Sequence, residues 1–370
     1  MKKYPYVQIS DIAALPTPQE GTRLIGHYSF QYIDFTENPD YALGHEFVDC
    51  CFFGCELVPG QSELMRDCLV LPRMGMVFGA FNPNLYDGES LYEGFNPGDP
   101  DSYGRSYDAR IYADYLANET YCSDVKIMLA RTLHDHSVYD AMMDFLKRYD
   151  PEDAVGIMGG HGIKRSDEGY EKIVRISKEL TERGKLMISG GGPGAMEATH
   201  FGAWMAGRNE EELQDALSML VSAGDKDSYK WLDSAFRVRE KYPQEEYCSL
   251  SIPTWLYGHE PSTPFSTHIA KFFTNSVRED MILSASVGGI IFTPGSAGTL
   301  QEIFQDAAKL HYGRVENTGP MIFLGRDFYE KIIPVYPFLA ELVDRRKYKN
   351  LNLMITDETD DVVDFVCRRR

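Results

Sequence analysis

The residues best suited to chemistry in this 370-residue chain lie in a turn of small residues between Phe292 and Glu302, FTPGSAGTLQE. An apolar run before the turn predicts a buried strand, and apolar residues at helical spacing from Thr299 to His311 predict a helix. Backbone N–H groups at a helix start lack intrahelical partners and together carry about half a positive charge, which suits a phosphate group. The groups expected to hold it belong to Gly295, Ser296, Ala297, Gly298 and Thr299.

A second turn of the same kind, GGGPGAM, spans Gly190 to Met196 between another predicted strand and helix. In the helix that follows, small residues recur every four positions, so one face carries almost no side chain and can lie very close to a sheet. Tight helix packing alone would also explain these glycines. Two such turns in one domain favour a bound nucleotide. The residues of this turn expected to contact it are Gly190, Gly191, Gly192, Gly194 and Met196.

Together the two turns resemble those of the LOG family of phosphoribohydrolases, long mislabelled as lysine decarboxylases, whose signatures are GGGxxGxM and PGGxGTxxE. The first signature matches in full, and the second differs in that Ser296 replaces its second glycine. The resemblance covers about residues 153–364, with Glu279 where a lysine usually follows Arg278 and one extra residue between Arg278 and the second turn. It implies a Rossmann-like sheet that binds a nucleoside 5′-monophosphate.

The resemblance also implies roles for particular side chains and backbone positions. It makes Arg278 and Glu302 the catalytic residues. It adds Gly159 and Gly160, at the end of the opening strand, to the residues that bind the substrate. The family's sites are completed across a dimer interface, so the resemblance further implies a homodimer or a larger homo-oligomer.

Spacing alone gives both catalytic candidates a structural reading. Arg278 would be a surface arginine, because it lies off the predicted buried row of its helix. That row is Ile269, Phe273, Val277, Met281 and Ala285. Glu302 would complete a capping box with Thr299, in the pattern Thr-x-x-Glu. The resemblance favours catalysis at both positions, and the two readings stay open.

Strand and helix alternate through the second half of the chain, as in a doubly wound parallel α/β sheet. A polar, proline-bearing junction near residue 150 separates a predicted catalytic domain, residues 151–370, from an N-terminal domain, residues 1–150. Strands and turns followed by a helical stretch predict an irregular α+β fold for the N-terminal domain. An acidic insertion at residues 208–247 predicts at least one amphipathic helix. Strands are expected near Val155, Met187, Leu250, Ile290, Ile322 and Met354.

Composition favours a soluble, cytoplasmic enzyme. The formal net charge of −19 disfavours nucleic acid and acidic membranes as partners. No signal peptide or membrane span is expected. Positive potential for an anionic substrate must then be local, from the helix starts, Arg278, Lys164 and Arg165. An odd number of cysteines without secretory context disfavours disulfides, and the adjacent Cys50 and Cys51 are poor zinc ligands, so no metal site is expected.

These features predict hydrolysis of the N-glycosidic bond of a nucleoside 5′-monophosphate to a free base and ribose 5-phosphate, without a cofactor. The alternative is a non-catalytic protein that binds a nucleotide or molybdenum cofactor, with Ser296 marking the loss of catalysis. A dinucleotide oxidoreductase is disfavoured, because no acidic residue ends a strand about 20 residues after the glycines. A lysine decarboxylase is disfavoured, because no lysine has a sequence setting typical of a Schiff-base site for pyridoxal phosphate.

The identity of the released base depends on loop side chains that the sequence does not place. Three aromatic or imidazole side chains follow Pro253 in a short stretch. They could stack on a base or merely pack against the protein. These residues are Trp255, Tyr257 and His259.

Overall fold

The structure is a computed structural model that describes residues 6–118, 122–224, 228–313 and 319–368. The chain divides into two compact units. The N-terminal unit comprises Met1–Asn84 and Tyr121–Ala141, and the sheet unit comprises Leu85–Thr120 and Met142–Arg370. Residues 85–118 therefore pack with the sheet unit, although they precede the junction near residue 150. The boundary at that junction between independently folding domains stays a prediction.

The described part of the N-terminal unit stacks seven short strands into two parallel sheets. The strands are β1 (Val7–Ile9), β2 (Leu24–Gly26), β3 (Tyr28–Gln31), β4 (Glu46–Val48), β5 (Cys51–Phe53), β6 (Met65–Arg66) and β7 (Leu69–Leu71). One sheet has the order β1-β3-β5-β7 and the other has the order β2-β4-β6. Helix α1 (Pro39–Gly44) lies in the connection between β3 and β4.

Tight corners carry the chain from the second of these sheets into the first. His27, Asp49 and Asp67 each follow a strand of the β2-β4-β6 sheet, and each has a positive φ, which is uncommon for a residue other than glycine. The repeated corner stacks aromatic side chains inside the unit. The fully buried phenylalanines are Phe30, Phe35, Phe47 and Phe52. The sequence predicts strands and turns here but not their regular stacking, because strands this short do not show a clear alternation.

The sheet unit contains the longer elements. It begins with helices α2 (Gly88–Leu91) and α3 (Tyr107–Ala117), and helix α4 (Val125–Leu146) contributes residues to both units. The elements that follow are β8 (Ala154–Met158), α5 (Glu168–Glu182), β9 (Leu186–Ser189), α6 (Ala195–Trp204), α7 (Glu210–Ala223), α8 (Ser228–Lys241), β10 (Ser249–Ser251), β11 (His268–Ile269), α9 (Asn275–Ala285), β12 (Gly289–Phe292), α10 (Ala297–Tyr312), β13 (Met321–Leu324), α11 (Val335–Asp344), β14 (Leu353–Thr356) and α12 (Thr359–Cys367).

Strands β8 to β14 form one parallel sheet with the order β11-β10-β9-β8-β12-β13-β14. The chain steps from β8 to one edge, returns to the other side of β8, and then steps to the opposite edge. The fold is therefore the predicted Rossmann-like, doubly wound α/β sheet. The direction of winding reverses between β8 and β12, and ligands of such sheets bind beyond the carboxyl ends of the strands at this switch point.

The burial of the central strands agrees with the sequence prediction, whereas the contact made by the small-residue face of α6 differs from it. Strands β8, β9, β12 and β13 are buried along their whole length, as expected of strands covered by helices on both sides. A Cβ atom at Gly202 of α6 would lie 2.3 Å from the carbonyl oxygen of Val174 in α5. At this position the small-residue face of α6 therefore approaches a helix, not the sheet.

Helix α7 is the amphipathic helix that the sequence predicts in the acidic insertion. Its buried residues are Leu213, Ala216, Leu217 and Leu220. The side chain of Asn209 accepts a hydrogen bond from the Glu212 N–H, and the Glu212 side chain accepts one from the Asn209 N–H, so a capping box starts the helix. Among the described residues, no helix has the length and the apolar composition that crossing a membrane requires.

Candidate functional site

Three turns meet at the switch point of the sheet, beyond the carboxyl ends of β8, β9 and β12. Gly159 and Gly160 follow β8, the GGGPGAM turn follows β9, and Pro294 follows β12. The Gly160 N–H donates a hydrogen bond to the carbonyl of Pro294 (3.1 Å), and the Ala195 N–H donates one to the carbonyl of Gly160 (3.2 Å). The turn after β8 therefore ties the two predicted phosphate-binding turns together.

The glycines of this junction are needed because the three turns approach so closely. A Cβ atom at Gly159 would lie 1.8 Å from the Thr293 Oγ1 atom, and a Cβ atom at Gly160 would lie 3.2 Å from the Cα atom of Gly295. Gly194 has a φ of +70°, and a Cβ atom there would lie 2.6 Å from the Gly160 carbonyl oxygen. These positions shape the backbone around the predicted ligand.

The start of helix α10 presents backbone N–H groups to solvent. Ser296 is the N-cap residue, its side chain accepts no capping hydrogen bond, and the first turn of the helix holds no acidic residue. Ser296, Ala297 and Gly298 are exposed, and the position of a Cβ atom at Gly298 faces open space. Uncapped, exposed N–H groups at a helix start suit an anion. The predicted phosphate site is therefore accessible.

The structure removes the capping reading of Glu302. Helix α10 starts at Ala297 with Ser296 as its N-cap, so Thr299 lies inside the first turn and cannot cap it. The Thr299 side chain instead folds back toward Gly295, where a Cβ atom would lie 2.1 Å from the Thr299 Oγ1 atom. Ser296 has a φ of −108°. This φ lies outside the left-handed region that favours glycine, so the backbone at this position does not require a glycine.

The glycines after β9 make room for two side chains of the site. A Cβ atom at Gly190 would lie 2.3 Å from Arg278 Nη2 and 2.6 Å from Met196 Sδ. A Cβ atom at Gly192 would lie 2.8 Å from Met196 Cε. Gly191 has a φ of +77°, which favours glycine. The turn thus brings backbone, Met196 and Arg278 together, and a larger residue at Gly190 would displace the guanidinium group.

Arg278 is buried, so the prediction of a surface arginine from spacing is wrong. Only 9% of its surface is exposed. The reason is the helix boundary: α9 begins at Asn275, and Ile269 belongs to β11, so the predicted apolar row is not on one helix. The Arg278 Nε–H group donates a hydrogen bond to the carbonyl of Ile252 (2.7 Å). This bond holds the guanidinium group beyond the carboxyl end of β10.

Glu302 faces Arg278 from the neighbouring helix. Its Oε1 atom lies 3.8 Å from the Arg278 Nη1 atom, and 14% of its side chain is exposed. Burial raises the pKa of Glu302 to about 7, the charge of Arg278 lowers it in part, and the charge of Glu279 raises it further. A carboxyl group with a pKa near 7 exists in both protonation states at neutral pH.

Glu279, at the position where the predicted resemblance to the LOG family would place a lysine, acts on Glu302 through charge. Its carboxylate accepts hydrogen bonds from the Asn275 side chain (2.6 Å) and the Gln301 side chain (2.7 Å). These bonds hold a negative charge near Glu302. A lysine at this place would favour ionised Glu302, whereas Glu279 favours the protonated form.

A small cavity of about 40 Å³ opens between the glycine turn and the loop after β10. Its lining residues are Gly190, Gly192, Met196, Pro253, Thr254, Tyr257, Glu260, Ser262 and Arg278. Tyr257 is half exposed and therefore available to a ligand. Trp255 is fully buried, stacks on Phe273 with ring centroids 4.5 Å apart, and lies in the core. Of these two aromatic candidates for base stacking, only Tyr257 lines the cavity.

A buried ion pair that sequence reasoning missed supports the loop beside this cavity. Lys271 Nζ lies 2.6 Å from Asp108 Oδ1 of α3 and donates a hydrogen bond to Ser262 Oγ (3.0 Å). The Trp255 Nε1–H group donates to the same Asp108 oxygen (2.9 Å). Both charged side chains are almost fully buried. No local sequence signal links Asp108 to Lys271, because they are distant along the chain.

Arg165 does not supply positive potential to the site, contrary to the prediction. It is buried, its Nε–H group donates to Glu197 Oε2 (2.9 Å), and its Nη1 group donates to Ser234 Oγ (2.8 Å). Its charge is therefore neutralised inside the unit, where it ties α6 to α8. Lys164 is exposed. Arg278 and the helix starts remain the positive groups at the switch point.

A second cavity in the sheet unit is lined by none of the predicted site residues. This larger cavity, of about 730 Å³, lies among Trp204, Phe236, Arg239 and neighbouring acidic residues. Within the described ranges, no group of three His, Cys, Asp or Glu side chains is arranged to hold a metal ion.

No protein-family model and no curated protein matches the chain, so membership of the LOG family stays a prediction. Among solved structures, the chain is similar to the molybdenum cofactor binding protein from the phototrophic bacterium Rippkaea orientalis. The TM-score is 0.37 and the sequence identity is 13%. The match covers 58% of this chain and 94% of that chain.

Proposed function

We propose that the protein binds a nucleoside 5′-monophosphate at the switch point and hydrolyses its N-glycosidic bond. The observation that carries the proposal is the pair formed by Glu302 and Arg278 beside an uncapped helix start. The amides of Ser296 to Thr299 would hold the phosphate. The sugar would then lie between this helix start and the glycine turn, next to the paired side chains.

The reaction breaks the bond between the base and C1′ of the ribose and joins a water oxygen to C1′. The transition state resembles an oxocarbenium ion, so a carboxylate near C1′ and the water is needed. Glu302 in its ionised form would fill this role and accept one proton of the water, and the departing base would finally take up this proton. Arg278 would stabilise the negative charge that develops on the departing base. Nucleosides should react poorly, because they lack the phosphate whose binding positions the sugar.

Binding without catalysis is the second candidate. The helix start, the glycine turn and the exposed Tyr257 would serve a carrier of nucleotide or molybdenum cofactor equally well. Because the pKa of Glu302 is about 7, a fraction of the protein molecules carries a neutral Glu302 carboxyl group at neutral pH. The two candidates differ in one outcome, which is release of a free base.

A panel assay separates them. Purified protein is incubated with AMP, GMP, IMP, CMP, UMP and an isopentenyl-adenine nucleotide, and with the matching nucleosides, while base release is followed by chromatography. Hydrolysis of at least one monophosphate, with its nucleoside far slower, supports the proposal. Tight binding measured by calorimetry without release of any base would favour the carrier.

A further inference from the structure

The carboxylate of Glu260 stands at the glycine turn without a role in the chemistry proposed above. Its Oε2 atom lies 3.7 Å from the position of a Cβ atom at Gly192. It lines the same small cavity as Arg278, Ser262 and Thr254. About a quarter of its side chain, 27%, is exposed. It is therefore a carboxylate that a ligand at the switch point would meet.

The surroundings leave this carboxylate able to accept new hydrogen bonds. The nearest cationic candidates are His161 and His259, whose Nε2 atoms each lie 4.0 Å from Glu260 Oε1, beyond hydrogen-bonding distance. Within the described residues, no side chain donates a hydrogen bond to Glu260. Its backbone N–H donates to the carbonyl of Tyr257 (2.9 Å), which fixes the loop that carries it. The backbone of Glu260 is therefore held in place, and its carboxylate oxygens remain available to accept hydrogen bonds from a ligand.

The charges beside the two turns indicate that each turn contacts a different part of a nucleotide. The first turn of α10 holds no acidic side chain, so it can take the phosphate. The glycine turn after β9 lies beside Glu260, and a carboxylate repels a phosphate placed next to it. An ionised carboxylate offers only acceptor sites, which suit hydroxyl donors. The part of a nucleotide that carries two adjacent hydroxyl groups is the ribose.

We propose that Glu260 accepts hydrogen bonds from the 2′- and 3′-hydroxyl groups of the bound ribose and thereby selects ribonucleotides over 2′-deoxyribonucleotides. The inference rests on the proposed function in so far as the ligand is a nucleoside monophosphate. It does not require that the ligand be hydrolysed. A carboxylate reads the ribose in many nucleotide-binding sheets by the same chemistry.

Calorimetric titration with AMP, 2′-deoxy-AMP, IMP and inorganic phosphate tests the proposal on the full chain. A hydrogen bond to a charged acceptor contributes about 1.5–3 kcal/mol, so wild type should bind AMP at least about tenfold more tightly than 2′-deoxy-AMP. Glu260→Ala should abolish this preference, and Glu260→Gln should leave a weaker one. Affinity for 2′-deoxy-AMP and phosphate should stay the same or rise, because a negative charge is removed.

The matched control is Glu240→Gln, an exposed glutamate of α8, which should keep the wild-type preference. Both Glu260 variants should melt as wild type does, since no hydrogen bond from a side chain is lost. Equal binding of AMP and 2′-deoxy-AMP by wild type, or a preference that survives in Glu260→Ala, overturns the proposal. A shift in the AMP-to-IMP preference alone would overturn it too, because Glu260 would then read the base.

Base release is measured separately on the same samples, so the two proposals can fail independently. Selective binding of AMP without base release contradicts hydrolysis and leaves the role of Glu260 intact. Base release with a ribose preference that ignores Glu260 contradicts only the role of Glu260. Absence of binding by AMP, 2′-deoxy-AMP and phosphate, together with no base release from any monophosphate of the panel, contradicts both.

Discussion

At the scale of single residues, Glu302 links protonation to both stability and activity. Its pKa is raised by burial to about 7, above its ordinary value of 4.5. The folded protein therefore binds this proton more tightly than the unfolded chain does. Between about pH 4.5 and 7, the contribution of Glu302 to the free energy of unfolding falls as pH rises. The residue destabilises the fold in its ionised form, the form that the proposed chemistry uses.

Glu302→Gln should separate these two effects. Glutamine keeps the size of the side chain but cannot accept a proton, so turnover should fall about a hundredfold or more. The variant should melt at or above wild type at pH 8, where the buried charge is lost, and close to wild type at pH 4. Base release and thermal melting at both pH values are the measurements.

The control for this change is Glu341→Gln, an exposed carboxylate of α11 that pairs with Arg345. It should leave turnover and its pH dependence unchanged. Near-normal turnover in Glu302→Gln would leave the proposed reaction without its carboxylate. Lower stability of that variant at pH 8 would contradict the raised pKa.

Glu279→Gln should shift the pH dependence of turnover. The negative charge of Glu279 raises the pKa of Glu302, so its removal lowers that pKa. If ionised Glu302 is the active form, the rising limb of the pH–rate profile should move to lower pH. Profiles of wild type and variant between pH 5 and 9 give the comparison. A limb that stays in place would show that Glu302 does not control it.

The residue types predicted the positions of the two turns well, whereas residue spacing did not predict the burial of the site side chains. The glycines at residues 190–194 and Gly295 marked both turns correctly, because a Cβ atom at each of them would meet a neighbouring atom too closely. The burial of Arg278 did not follow from helical spacing, since tertiary contacts set where α9 begins. The raised pKa of Glu302 depends on neighbours from another helix, which no local pattern reveals.

At the scale of elements, the loop that carries Glu260 depends on α3 through a buried ion pair. Asp108→Asn should leave the Lys271 ammonium group buried without a counter-charge, at a cost of about 3–5 kcal/mol in the free energy of unfolding. Chemical denaturation of wild type and variant measures the loss. Weaker AMP binding should accompany it, because Ser262 loses its fixed partner.

The double variant Asp108→Asn with Lys271→Met provides the matched comparison. It removes both charges, so it should be less destabilised than the sum of the two single variants. Strict additivity would mean that the two side chains do not interact. A single Asp108→Asn protein as stable as wild type would show that the pair is not buried in solution.

Element types followed from the sequence where the elements are long. Six strands of the sheet were predicted at their observed positions, and β11 was missed because two residues carry no period. Helix α10 was predicted from Thr299 but starts at Ala297, and that difference decides whether Glu302 belongs to a cap. The sequence predicted turns in the N-terminal unit but not the corners at His27, Asp49 and Asp67, because most histidines and aspartates have a negative φ although both types are enriched in left-handed backbone.

At the scale of the whole molecule, apolar side chains remain exposed on the helices next to the site. They lie on α9, α10 and α11 and on the segment before α11, and the rings of Phe304 and Phe338 touch. These exposed residues are Val277, Phe304, Ile332 and Phe338. Phe304 and Phe338 thus form an exposed apolar pair, and exposed apolar side chains that lie together are typical of surfaces that another chain covers.

We therefore expect a homodimer or a larger homo-oligomer, as the family resemblance implies. Phe304→Glu should convert it to a monomer and lower activity if a second subunit completes the site. Leu116→Glu, which changes an exposed leucine of α3, is the control and should keep the assembly. Light scattering coupled to gel filtration gives the mass. A wild-type monomer that is active at assay concentration would refute this expectation.

The switch point also has a consequence for how the chain folds. Val155 of β8 pairs with Gly289 of β12, more than a hundred residues later in the sequence. Closing so long a loop costs entropy before any contact compensates it, which slows folding. During synthesis, β8, β9 and the glycine turn emerge well before the helix start that would hold the phosphate. Ligand recognition must therefore be among the last properties that a nascent chain acquires.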